Sequence, residues 1–101
     1  MPPNLRVTRL ADKDLEEILD YTITTWGIGH FRRYRKMLFE GFAAIGEPLH
    51  LLSKSRDDLF EGARIYPVGR HFLLYYVSGE QVILARILHK QMDLPLHLED
   101  L

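Results

Sequence analysis

Residues 4–10 (N-L-R-V-T-R-L) alternate apolar and polar positions with period two, which predicts a strand with one buried face. From Ala11 the period changes. Ala11, Leu15, Ile18, Leu19, Thr22 and Trp26 fall on one helical stripe, while Asp12, Asp14, Glu16, Glu17 and Asp20 crowd the opening turns, where carboxylates suit the positive end of the helix dipole. Gly27 is expected to close this helix and Gly29 to let the chain reverse at once. A second helix is predicted over 30–45, with the stripe Phe31, Tyr34, Leu38, Phe42 and Ile45 and a basic first half of His30, Arg32, Arg33, Arg35 and Lys36. Gly46 and Pro48 end it. So short a connection makes the two helices an antiparallel hairpin.

Residues 49–58 show no sustained period and read as a flexible loop, with room for a short helical turn. Three strand signals follow, at 62–68, 70–77 and 81–89, separated by Gly69-Arg70 and Ser78-Gly79-Glu80, both suited to tight turns. They predict an antiparallel meander. Pro67 cannot donate to a ladder, so the first of these strands lies at an edge there or bulges. Residues 90–101 read as a short tail or helical turn. The expected fold is α+β: an N-terminal strand, an α-helical hairpin, then a three-stranded antiparallel meander. The last two strands are apolar on both faces: Phe72, Leu74 and Tyr76 against Leu73, Tyr75 and Val77, and Val82 and Leu84 against Ile83, Ala85 and Ile87. A helical hairpin covers one face only, so the other needs a lid: residues 94–101, a second copy, or a different chain.

With 101 residues, 47% of them hydrophobic, the chain is expected to form one domain over 1–101 with a single core. Thirteen Lys and Arg against fourteen Asp and Glu give a net charge of -1, so any pull toward nucleic acid or membrane must come from a local patch. Cysteine is absent, which excludes disulfides, Cys-ligated zinc and thiol catalysis. The apolar runs fall far short of a bilayer span and the first ten residues lack a signal peptide's apolar core, so the chain reads as soluble and cytoplasmic.

Candidate chemistry is sparse. His89, Asp93 and His97 would share a face of a helix, but Pro95 sits inside that spacing and no third histidine is near, so neither metal nor cofactor is expected. The serines lack a glycine-flanked elbow, no phosphate-cradling glycine loop exists, and no catalytic residue is assigned. The basic run over 30–36 could track a phosphate backbone, although arginines opposite an apolar stripe more simply form a solvated helix face. Arg64 and Arg86 stand out because they sit in otherwise apolar strands. Metal-free RNA cleavage would need a base, a proton donor and a cation cluster, and Arg64, His71, Arg86, His89 and Lys90 are the available groups.

Several phrases together resemble the ParE branch of the RelE/ParE toxin superfamily of bacterial toxin-antitoxin modules. They are A-x-x-D-L-E-E-I-x-x-Y at 11–21, T-W-G at 25–27, S-x-S-R-D-D-L at 53–59, E-G-A-R at 61–64, H-F-L-L-Y-Y at 71–76 and R-I-L-H-x-x-M-D at 86–93, closed by His97-Leu98. They cover nearly the whole chain in the expected order. The resemblance implies a toxin neutralised by a ParD-like antitoxin, with DNA gyrase as target, held on cleaved DNA so that replication stops, and with operator DNA engaged only through the antitoxin. RelE-type relatives instead cut messenger RNA in the ribosome with a basic cluster. Here one of their arginine positions reads Phe72, and residues 90–96 hold neither Arg nor Tyr, which favours the gyrase branch while His71, His89 and Lys90 keep the nuclease alternative open. A toxin retained inactive for autoregulation is the third reading. The resemblance places antitoxin contacts among Leu15, Leu19, Tyr34, Leu38, Tyr75 and Val77, with the cationic helix face receiving acidic antitoxin residues. It places the target surface at Arg86, His89, Lys90, Met92 and Asp93, supported by Arg64. Asp93 could equally cap a final turn and pair with Arg86.

Overall fold

A computed structural model describes residues 2–47 and 53–91. Its elements are β1 (Leu5–Val7), α1 (Arg9–Trp26), α2 (Ile28–Ile45), β2 (Lys54–Ser55), β3 (Arg64–Val68), β4 (His71–Ser78) and β5 (Gln81–His89). The five strands form one sheet in the order β1-β5-β4-β3-β2, parallel between β1 and β5 and antiparallel elsewhere. The fold is α+β, as the pattern predicts, with the helical hairpin packed on one sheet face.

The helix boundaries follow from local chemistry. Thr8 caps α1 by accepting the Ala11 amide at 3.1 Å. Gly27 reverses the chain alone: its φ of +87° and ψ of 177° belong to a region only glycine enters readily. Gly29, read as part of the turn, is instead helical, since a single residue at φ above zero is enough to start α2 in the opposite direction. Thr22 and Ala11 are buried on α1, and Leu38, Phe42 and Ile45 on α2, but Trp26 leaves the predicted stripe and lies half in solvent at the hairpin tip. These helices cover Leu5, Val68, Leu73, Tyr75, Val82, Leu84 and Ile87.

The strand expected over 4–10 ends at Val7, because Thr8 caps a helix that already begins at Arg9, and three further features depart from the pattern. The stretch read as a loop contains β2, whose two residues are too few to show a period; it pairs only with Arg64 and Ile65, which leaves Pro67 on an open edge as expected. The ladder between β4 and β5 slips between Leu74 and Tyr75, where Leu84 and Arg86 pair with them and Ala85 bulges. Ile87 therefore joins Leu84 on the helix side, whereas strict alternation would group it with Ala85, which faces the opposite layer. Finally, a lid on that opposite face comes from the segment before β3. Leu59 and Phe60 pack on Ala63, Ile65, Leu74, Ala85 and Leu88, with the Phe60 and Tyr76 rings edge to face at 5.9 Å. The segment is pinned by Arg56 N–H to Ala63 O at 2.7 Å and Ala63 N–H to Phe60 O at 3.1 Å. Residues 94–101, the tail offered for this role, lie outside the described residues.

Candidate functional site

β1 stops pairing at Val7 opposite Leu84, so the edge of β5 beyond that point would be bare. Two side chains, one from the cap of α1 and one from its opening turns, close it. Thr8 donates its hydroxyl to Ala85 O at 2.8 Å, and Asp14 accepts the Ile87 amide at 3.0 Å. The same Asp14 carboxylate takes Arg86 in a two-pronged pair, Nε at 2.7 Å and Nη2 at 3.0 Å, with both side chains largely buried. Arg86 thus pairs with Asp14; Asp93, the alternative partner, lies outside the described residues.

Anchoring α1 in this way leaves a cleft of about 450 Å³ between the helices and the far ends of β4 and β5. Ile18, Tyr21, Trp26, His30 and Tyr34 form its helical wall, and Arg70, His71 and His89 its strand wall. Tyr34 joins the two. Its hydroxyl accepts the Arg70 amide at 3.0 Å, lies 2.6 Å from His71 Nδ1 and reaches Val68 O at 3.2 Å. Gly69 makes this approach possible, because a Cβ there would lie 2.7 Å from the tyrosine ring. Burial raises the Tyr34 pKa, partly offset by the Arg70 amide.

His71 and His89 face each other across the β4–β5 ladder with rings edge to face at 5.2 Å. Burial, and then the neighbouring His89 charge, push the His71 pKa from its ordinary 6.5 down to about 4, so its imidazole is neutral at neutral pH. His89 Nδ1 accepts the Gln91 amide at 3.1 Å, which places the proton of a neutral His89 on Nε2. The arrangement offers a neutral imidazole, a hydrogen-bond donor and the Arg70 guanidinium to whatever enters. Among the described residues no three His, Asp or Glu side chains are grouped to hold a metal ion.

Of the residues expected at the target surface, His89 and Lys90 stand together at the end of β5, beside this cleft, and Lys90 Nζ lies 5.3 Å above the Phe72 ring. Arg86 is close but committed to Asp14. Arg64 sits at the other end of the ladder, opposite Tyr75, where its guanidinium donates to Ser53 Oγ at 2.8 Å and Ser53 O at 3.2 Å. The RNA-cleaving set therefore comes together only in part: His71, His89 and Lys90 meet, Arg64 does not. Met92 and Asp93 lie outside the described residues.

The residues expected to meet an antitoxin divide by burial. Val77 is 60% exposed, and Leu15, Leu19 and Tyr34 are half-buried against the core. Leu38 and Tyr75 need correction. Both are fully buried, Leu38 under the helix–sheet layer and Tyr75 with its hydroxyl 2.6 Å from Ser53 Oγ, so neither offers surface to a partner. The pattern also missed Asp14, Tyr21, Trp26, His30 and Arg70 as neighbours. Asp14, Ile18 and Tyr21 recur at helical spacing, a usable signal for one wall; nothing in the sequence linked that wall to Arg70 or Asp14 to Arg86.

The family model described as "ParE toxin of type II toxin-antitoxin system, parDE" matches residues 5–94. The chain is 34% identical over 97 residues to Toxin ParE of Escherichia coli, covering 93% of this chain and 91% of that one. It is 33% identical over 90 residues to Toxin ParE1 of Mycobacterium tuberculosis, covering 87% and 90%, and 30% identical over 93 residues to Toxin ParE1 of Caulobacter vibrioides, covering 92% and 95%. A chain of a solved structure titled "Chromosomal ParDE TA system from P. aeruginosa" superposes with a TM-score of 0.71 over 85% of this chain and 94% of that one, at 19% identity, a likeness of fold.

Proposed function

The chain belongs to the ParE toxin family of type II toxin-antitoxin systems, and from that premise we propose that it inhibits DNA gyrase and is neutralised by a ParD-like antitoxin. Bound to the topoisomerase, it stabilises the state in which DNA is cleaved, and replication is blocked. The observation that carries this reading is the match along 5–94, supported by three ParE relatives at 30% identity or more. Residues 1–101 act as one toxin domain in the cytoplasm, and operator DNA is reached only through the antitoxin.

At residue level, the target surface comprises His89 and Lys90, where β5 ends, together with Met92 and Asp93 of the same sequence motif. Arg86 supports it from the Asp14 pair, and Arg64 adds a second, separate contact. Antitoxin contacts fall on Leu15, Leu19, Tyr34 and Val77, with acidic antitoxin residues against the α2 arginines.

A ribosome-dependent nuclease is the second reading, and the meeting of His71 with His89 is what favours it. Against it stand the commitment of Arg86 to Asp14, the distance of Arg64, and Phe72 packed into the opposite layer. Induced expression of the chain alone separates the readings. Filamentous cells with a DNA-damage response and continuing protein synthesis are the expected outcome. Immediate translation arrest with cleaved messages would move the assignment to the nuclease, and normal growth would point to an inactive, regulatory toxin.

A further inference from the structure

The cleft has two unlike ends. At one, Tyr21 and Trp26 are 63% and 51% exposed, and Trp26 leans over His30 with ring centroids 5.8 Å apart. Folding thus leaves two large aromatic faces in water beside a cavity. At the other end, Arg70 and His89 belong both to the cleft and to an adjoining groove that also holds Lys90. Among the described residues no carboxylate lies within ion-pair distance of Arg70 or Lys90. Asp14, at the cleft's inner wall, is already neutralised by Arg86. A ligand complementary to both ends is flat and stackable at one end and anionic at the other, and carries polar edges for the imidazoles and the Tyr34 hydroxyl between them.

From this we propose that the cleft binds a nucleoside 5′-phosphate, either free or as an unpaired unit of a nucleic-acid strand. The base lies against Trp26 and Tyr21, where stacking tolerates any base. The phosphate lies at Arg70, with Lys90 beyond it receiving the next phosphate when the ligand is a strand. Glu17, one helical turn before Tyr21 on α1, accepts from a base amino group and repels a phosphate, which favours the phosphate at the Arg70 end. A paired base in a duplex cannot reach this pocket without leaving its stack, so double-stranded DNA is excluded. The cleft shares His89 and Lys90 with the proposed target surface, but its test reads ligand binding and not toxicity, so either assignment can fail alone.

Trp26 is the chain's one tryptophan, so its fluorescence reports occupancy directly. The purified full chain is titrated with adenosine 5′-monophosphate, adenosine, inorganic phosphate, a short single strand and the matching duplex. Saturable quenching by the monophosphate is expected, with adenosine and phosphate each weaker by about tenfold or more, because each fills one end. Arg70→Gln is expected to weaken the monophosphate about tenfold and leave adenosine unchanged. Trp26→Ala, followed by calorimetry, weakens both by about tenfold. Both side chains are exposed, and far-ultraviolet circular dichroism confirms that the variants fold. A strand binding much more tightly than the monophosphate identifies nucleic acid as the source; equal affinity identifies the free nucleotide. The proposal is overturned by the absence of saturable change at millimolar ligand, by duplex binding as tightly as single strand, or by Arg70→Gln leaving the monophosphate affinity intact.

Discussion

Asp14 and His71 show how single side chains set the cleft. The Asp14 carboxylate ends the β5 edge at Ile87 and neutralises Arg86 in a largely dry setting, so removing it takes an acceptor from two groups at once. Asp14→Ala is expected to cost about 3 kcal/mol of stability, whereas Asp14→Asn, which keeps an oxygen for the Ile87 amide, should cost about 1–2 kcal/mol. Urea unfolding of the two variants tests this, and equal losses would refute the edge-capping role. His71 carries the pH dependence. The unfolded chain takes up its proton near pH 6.5, while the folded ring resists until about pH 4, because of burial and then the charge of His89, with Arg70 and Lys90 adding to it and Asp14 opposing. The stabilisation is therefore complete above pH 6.5, declines as the pH falls toward 4, and changes no further below that. Allowing for solvent screening of a half-buried ring, the loss is about 1–2 kcal/mol. Comparing unfolding of the parent with His71→Gln across that window isolates the contribution from carboxylates that titrate nearby; parallel curves would contradict it.

Among the elements, the approach of α2 to the sheet depends on Gly41. A Cβ there would lie 2.6 Å from Val68 Cγ2 and 3.2 Å from Leu73 Cδ1, and the valine, stiff at χ1, has little room to turn. Gly41→Ala gains about 1 kcal/mol in helix propensity but overpacks this contact by about 1–3 kcal/mol. A net loss of about 1 kcal/mol is expected in thermal unfolding; a gain would mean that the hairpin slides freely on the sheet. This contact also marks what a sequence can reveal. Periods of 3.6 and 2 are imposed by local geometry, so α1, α2 and the three long strands were legible from the spacing of Leu38, Phe42 and Ile45 or of Leu73 and Tyr75. Two-residue β2 has no period to read. The Ala85 bulge shifts Ile87 to the helix side without any local mark, and the contribution of Leu59 and Phe60 to the opposite face needs the third dimension. The cleft was legible only in pieces for the same reason: His71 and His89 stood out as chemical types, but their meeting with Tyr34 depends on the ladder register and on the angle of the hairpin.

At the scale of the whole molecule, a net charge of -1 conceals a strong separation of charge. α1 exposes Asp12, Glu16, Glu17 and Asp20, while α2 exposes Arg32, Arg33, Arg35 and Lys36, and the 3.9 Å contact between Lys36 and Glu40 is too exposed to cancel that face. Charges on an exposed helix add little to folding but much to the field that an approaching partner meets. If an acidic antitoxin segment docks on α2, its capture is steered by that field, and the effect belongs to the association rate. Arg32→Glu with Arg33→Glu is therefore expected to slow association with the antitoxin about tenfold at low salt, to change dissociation little, and to lose most of its effect near 0.5 M salt as screening shortens the range of the field. Glu16→Lys with Glu17→Lys, on the opposite pole, should leave association unchanged or quicken it. Stopped-flow mixing of each variant with the antitoxin across a salt series measures both. Equal slowing by the two pairs, or slowing that persists at high salt, would assign the α2 arginines to direct contacts at the interface and leave steering without a role.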